Sequence, residues 1–178
     1  MKNNFMNDEI KPANSQPLTS QQVHELLGKH RQIRDYSCFQ SAPEMWLKLN
    51  QVIGWADYPE QSLPQNDLKG YEPYPDDGLK TYNGSSVHFR KETFHAPYDT
   101  LFGRLSAELA DGRFVVVSLH PPGGNWHGYL VTHRVGNDFI VFTKHGLNEA
   151  GTVEDRLSNF LKTNEKVDCL FMKIAKKP

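Results

Sequence analysis

Cys38 and His127 are the pair of side chains in this sequence that could together carry covalent chemistry. Cys38 stands in RQIRDYSCFQSAPEMW, just ahead of a run with helical periodicity. A thiol near a helix N-terminus feels the positive end of the dipole and unsatisfied N–H groups, and both lower its pKa towards a reactive thiolate. The same position also suits a cysteine buried as a small hydrophobe. His127 follows the loop Pro121-Pro122-Gly123-Gly124-Asn125-Trp126 and opens the alternating stretch HGYLVTHRV. A loop feeding a strand end is where functional side chains concentrate, so His127 is a candidate base for the thiol. Ordinary strand histidines share that pattern.

The elements that must position this pair are legible as periodicities. Residues 1–17 are polar and Asn-rich, and predict a flexible arm; residues 18–178 then form a single domain. Thr19-Ser20-Gln21-Gln22 is a capping-box pattern for a helix over about 20–27, stopped at Gly28. Phe39, Ala42, Trp46, Leu49 and Ile53 recur at spacings of three and four, which predicts a helix burying one face. Residues 54–83 hold many Pro, Tyr and Asp residues and predict a long irregular excursion, either a substrate-binding flap or a solvated loop pinned by tyrosines. Strands are expected over about 86–94, 114–119, 127–135, 139–143 and 167–174. A helix is expected over 99–110 with Asp99 as its cap, and Thr152–Asp155 reads as a capping pattern before another short helix. Cys169 alternates with Val167 and Phe171 and is expected in the core. With helices first and an antiparallel sheet second, the layout is α+β.

Taken with Gln32, six residues before Cys38, these pieces resemble the papain-like cysteine peptidases. They look most like the bacterial branch that contains the bacteriocin-processing (double-glycine) peptidases. The resemblance covers roughly residues 30–146. It implies a papain-like fold with an N-terminal helical part packed on a C-terminal antiparallel sheet. It also implies roles: Cys38 as thiolate nucleophile, His127 as base and then acid, and the Gln32 side chain with the Cys38 backbone N–H as oxyanion donors. Gly124, Asn125 and Trp126 would line the substrate cleft.

Two features depart from that pattern. The third member of the triad, an Asn or Asp in the family, falls near Thr143, where Thr143 or Lys144 stands. A Thr143 hydroxyl can accept a hydrogen bond from the imidazole but cannot stabilise imidazolium as a carboxylate does. A Cys-His dyad, an acid from elsewhere such as Asp76, Asp77 or Glu149, or a disabled site are the three alternatives. Pro43 is the second departure. Ser41-Ala42-Pro43-Glu44 reads as a capping box with proline in the first turn, which sets the regular helix start near Ala42 and leaves Cys38 in the turn before it.

Composition narrows the rest. A net charge of −1 gives no field that would draw the chain to nucleic acid. No run approaches the length of a membrane span. Two cysteines do not make a disulfide scaffold and favour a reducing compartment. His120, His127, His133 and His145 lack zinc-pair spacing, and His127 and His133, on one strand face, would lie about 20 Å apart, so neither a metal nor another cofactor is expected. Dinucleotide, phosphate-loop and serine-hydrolase motifs are absent. The expected activity is thiol-dependent amide hydrolysis of a protein or peptide. Glutamine deamidation or acyl transfer by an effector on the same fold, and a non-catalytic papain-like binding module, are the alternatives. The location is cytoplasmic, or outside the cell by a signal-less route.

Overall fold

The structure is a computed structural model that describes residues 17–35, 37–62, 76–119, 127–144 and 152–175. Along the chain come α1 (Ser20–Leu27), α2 (Cys38–Leu49), β1 (Asp77–Tyr82), β2 (Ser85–His95) and α3 (Asp99–Ala110). They are followed by β3 (Val115–Leu119), β4 (His127–Val135), β5 (Asp138–Lys144), β6 (Thr152–Arg156), α4 (Leu157–Leu161) and β7 (Lys166–Ile174). The seven strands form one sheet in the order β1-β2-β7-β3-β4-β5-β6, and every pairing is antiparallel. The architecture is α+β.

Period-two alternation divides the sheet into two apolar faces. Val116, Leu130, Phe142, Leu170 and Met172 face α1 and α2, where Val23, Leu27, Met45 and Trp46 are buried. Val115, Val117, Tyr129, Val131, Val141 and Cys169 face α3 and α4. The expected order of helices before sheet is therefore only partly right: α1 and α2 precede it, but α3 and α4 interleave with the strands and cover the second face.

Local signals explain most elements. Thr19 and Gln22 form the reciprocal capping box that starts α1. Three expectations fail, the first being Asp99 as the cap of α3: it is the first helical residue, behind Tyr98, and among the described residues no side chain caps the helix. Thr152–Asp155 is part of strand β6, paired to β5, rather than a cap, while the short helix expected after it is present as α4. The excursion after Gly54 contains β1, whose register against β2 sets Tyr82 opposite Ser85. That strand carries little apolar alternation, so the pattern hid it.

Helix α2 differs more deeply. It begins at Cys38 and carries Pro43 in its interior, and every residue from Gln40 to Leu49 is buried. Proline there removes one ladder hydrogen bond, which is why a start near Ala42 is the local expectation. Tertiary bonds override it. Ser41 Oγ lies 2.9 Å from His30 Nε2, and the Glu44 carboxylate accepts the backbone N–H groups of Glu60 and Gln61. The residues read as a capping box are thus spent on other partners. The helix buries both its apolar and its polar face because the turn over residues 54–62 closes on the latter. Within it Glu60 and Gln61 are almost fully buried while Gly54, Ala56, Asp57 and Ser62 are exposed, and residues 63–75 of the expected excursion lie outside the described residues.

Candidate active site

Cys38 is the first residue of α2, and its sulfur lies at the point where that helix meets β4. Burial raises its thiol pKa, while the backbone N–H groups of Gly128, Phe39 and Cys38 itself pull in the opposite direction by favouring the thiolate. Cys38 thus stands at the helix start rather than in the turn before it, but the net shift is upward, against the lowering expected from the dipole argument. Gly128 permits the contact. A Cβ there would stand 3.0 Å from the Cys38 carbonyl oxygen and 3.2 Å from Ala42 Cβ. A glycine inside a strand often marks such a close backbone approach.

His127 is the first residue of β4 and pairs with Leu119 of β3. By alternation it shares a face with Tyr129 and Val131, while Thr143 shares that face from β5. The hairpin brings them together: His127 Nε2 lies 2.6 Å from Thr143 Oγ1. The Thr143 hydroxyl donates to the Gly128 carbonyl at 2.9 Å, so its lone pair is what meets the imidazole. Nε2 therefore carries the proton and Nδ1 is the basic nitrogen. One glycine backbone thus holds the sulfur through its N–H and the threonine hydroxyl through its C=O.

Tyr129 forms a wall beneath the imidazole, with ring centroids 4.8 Å apart and edge-on, and leans on Phe160 at 4.5 Å. Burial pushes the Tyr129 phenol up to about 12, and negative charge on Cys38 and Asp155 adds to the effect. The imidazole and the phenol are thus in ring contact, and the phenol feels the charge of Cys38.

Of the two residues weighed for the third position, Thr143 is the one at the imidazole. Lys144 points to the other face, where its Nζ donates to Thr152 Oγ1 at 2.8 Å and burial pulls its pKa down to about 8. The substitute acids are placed elsewhere. Asp77 pairs with His88 at 2.9 Å and Asp76 with Lys91 at 3.3 Å. Both sit on or beside β1, four strands from β4, which is about 19 Å at the usual strand spacing. Asp138 is tied to Ser158 at the far turn of the hairpin.

Gln32 is buried in the segment that leads to α2. Its Nε2 donates to the Arg34 carbonyl at 3.0 Å and retains a second N–H, while Oε1 has no partner among the described residues. Its side chain is thus in the right segment with one donor to offer. The expected cleft residues Gly124, Asn125 and Trp126 lie outside the described residues, as do His120, His145 and Glu149. The expectation that His127 and His133 share a strand face is overturned. A register shift between Val131 and His133 turns His133 to the other side, where Nε2 lies 2.7 Å from the Leu18 carbonyl. Among the described residues no three His, Cys, Asp or Glu side chains gather as a metal would require. Both cysteines are free, and Cys169 is fully buried in the second core.

Behind α2 lies a buried polar cluster. Lys48 Nζ donates to His30 Nδ1 at 3.0 Å and to the Trp55 carbonyl at 3.1 Å, and sits 3.6 Å over the Tyr58 ring. Burial, then the charges of Lys48 and Lys144, lower the His30 pKa to about 2 against a weaker lift from the Ser41 carbonyl, so this ring is neutral. Burial raises Glu44 and lowers Lys48, and each is opposed by the charge of the other. Sequence reasoning missed Gly128, Tyr129, Glu44 and Gln61. Gly128 was detectable, as a lone glycine after the first residue of an apolar strand. Tyr129 was detectable as the i+2 neighbour of His127. Nothing local marked Gln61.

No family model, no curated protein and no solved structure matches this chain. No helix among the described residues is long and apolar enough to cross a membrane.

Proposed function

We propose that this chain is a thiol-dependent amide hydrolase built on a papain-like arrangement, with a protein or peptide as substrate. One observation carries the reading: the Cys38 sulfur at the start of α2 lies on the N–H of Gly128, and the preceding residue is a histidine whose Nε2 is held by Thr143. In this mechanism His127 Nδ1 removes the thiol proton as sulfur attacks the substrate carbonyl. The tetrahedral oxyanion takes hydrogen bonds from the free N–H of Gln32 and from the backbone N–H of Cys38, at roughly 3 kcal/mol of barrier per donor. Collapse breaks the C–N bond, and the proton on Nδ1 passes to the departing amine. Water, deprotonated by the same nitrogen, then releases the acyl group.

Two features favour, within this reading, a resting thiol at Cys38 over a pre-formed ion pair. Burial raises the thiol, and Thr143 offers a dipole where a carboxylate would stabilise imidazolium. Proton transfer then accompanies attack. The same features favour the second reading, a papain-like module that binds a peptide without cleaving it. Deamidation of a glutamine side chain or acyl transfer would use the same groups. Two free thiols suit a reducing compartment, and cytoplasmic action or signal-less export both accommodate them.

Alkylation by low iodoacetamide at neutral pH tests the pair. Wild type should react at Cys38, and His127→Ala should react far more slowly. Equal rates would remove His127 from the mechanism, and an inert wild type would favour the binding module.

A further inference from the structure

We infer that Gln61 is a positioning residue for this site: anchored on Glu44 of α2, it clamps the segment that carries Gln32 into a set register with Cys38. The inference rests on the thiol-hydrolase reading and adds a residue to it.

Gln61 is 1% exposed and Glu44 is fully buried. The Glu44 carboxylate organises the turn, with Oε1 accepting from Glu60 N at 2.9 Å and Gln61 N at 3.1 Å. Its Oε2 accepts from Gln61 Nε2 at 2.5 Å. Every remaining bond of the Gln61 carboxamide reaches the segment before α2. Its second N–H donates to the Arg31 carbonyl at 3.0 Å, and its Oε1 accepts from Ile33 N at 2.8 Å. The same oxygen lies 2.9 Å from Oγ of Ser37, the residue immediately before Cys38.

The bonds thus bracket Gln32 on both sides and also reach the start of α2. A carboxamide with all its donors and acceptors engaged has one orientation, and burial leaves no water to replace a lost bond. The oxyanion donor on Gln32 and the nucleophile on Cys38 are therefore referred to the same buried carboxylate, although Gln61 lies seventeen positions after Glu44. Displacing a catalytic donor by about 1 Å costs on the order of 100-fold in rate, so such a clamp matters to catalysis more than to the shape of the fold.

Two reagents separate this role from a merely structural one. Iodoacetamide alkylation displaces iodide from carbon and forms no oxyanion. An aldehyde adds the thiol across its C=O: the S–C bond forms, the C–O π bond breaks, and the thiol proton ends on oxygen, where oxyanion donors act. Acetyl-glycinal enriched in 13C at the aldehyde carbon reports that adduct directly by NMR. For Gln61→Leu we expect alkylation within about twofold of wild type and thiohemiacetal affinity reduced at least about tenfold, matching Gln32→Ala. Ser37→Ala, which removes one contact of the clamp and keeps the rest, should show the same pattern more weakly and serves if Gln61→Leu does not fold. Unchanged aldehyde affinity in these variants, or aldehyde affinity and alkylation falling together, would overturn the clamp. Alkylation that does not change in His127→Ala, or a wild type that forms no adduct, would instead overturn the hydrolase reading itself.

Discussion

His127 Nε2 and Thr143 Oγ1 stand 2.6 Å apart across the β4–β5 hairpin, and the same hydroxyl donates to the Gly128 carbonyl. The contact selects the tautomer that leaves Nδ1 as base. It supplies orientation without the charge that a carboxylate would add.

Replacing Thr143 with Val removes the acceptor but keeps the shape. We expect alkylation of Cys38 to slow by about tenfold as the ring loses its tautomer preference, and stability to fall by about 1 kcal/mol as the Gly128 carbonyl loses its donor. Thr143→Ser should retain most of both. Alkylation rates and chemical denaturation measure the two effects, and a Val variant as fast as wild type would refute the orienting role.

The pH profile of alkylation follows from the raised thiol. A cysteine held above its ordinary value is protonated at neutral pH and ionises as pH rises. The wild-type rate should climb through pH 7 to 9. A plateau extending below pH 6 would instead mark a pre-formed ion pair.

Gly128→Ala tests the seat of α2 on β4. The added methyl meets the Cys38 carbonyl oxygen at 3.0 Å and Ala42 Cβ at 3.2 Å, so the helix start must shift. Overpacking of this kind costs about 1–3 kcal/mol, and the sulfur would move off the Gly128 N–H. Loss of Cys38 reactivity together with a lower unfolding midpoint is expected, and an unaltered variant would mean that the approach is looser than the geometry implies.

His30 should make the fold acid-sensitive. Its folded pKa, about 2, lies below the ordinary histidine value of 6.5, so below pH 6.5 the unfolded chain binds a proton that the folded one refuses. This group's stabilising contribution is fully present above pH 6.5 and declines as pH falls, by about 1.4 kcal/mol per pH unit. Glu44 works in the opposite direction: its raised pKa means that ionisation costs more in the folded state, so its effect weakens stability as pH rises from 4.5 towards about 7. The cleanest readout is the difference between wild type and His30→Asn, in which the His30 slope vanishes while that of Glu44 remains. Parallel stability curves from pH 4.5 to 6.5 would show that His30 is protonated in the fold.

Removing the Glu44 carboxylate should be severe. Glu44→Ala strips the acceptor from Glu60 N, Gln61 N and Gln61 Nε2, all buried, and we expect a loss of about 3–5 kcal/mol in denaturant unfolding. A loss below about 1 kcal/mol would mean that the turn over residues 54–62 finds other partners.

The periodicity of the chain determined the elements with strong local codes: α1 with its capping box, α3, the apolar strands β3, β4 and β5, and Cys169 in the core. The spacing of His127 and Thr143 did not by itself place them on one face: regular register counted back from the Val135–Asp138 end would set His127 on the face of Lys144, and the shift between Val131 and His133 brings Thr143 there instead. What the sequence could not determine was anything decided by groups that meet across loops. The start of α2 at Cys38 despite Pro43, the burial of its polar face, the clamp through Gln61 and the reversal of His133 by the β4 register shift arise from hydrogen bonds between residues distant in the chain. A buried polar group takes whichever partner the fold presents, and no local pattern encodes that choice. Hydrophobic periodicity is a property of neighbours in sequence. Desolvated hydrogen bonding is a property of neighbours in space, and the latter fixes where the sulfur of Cys38 sits.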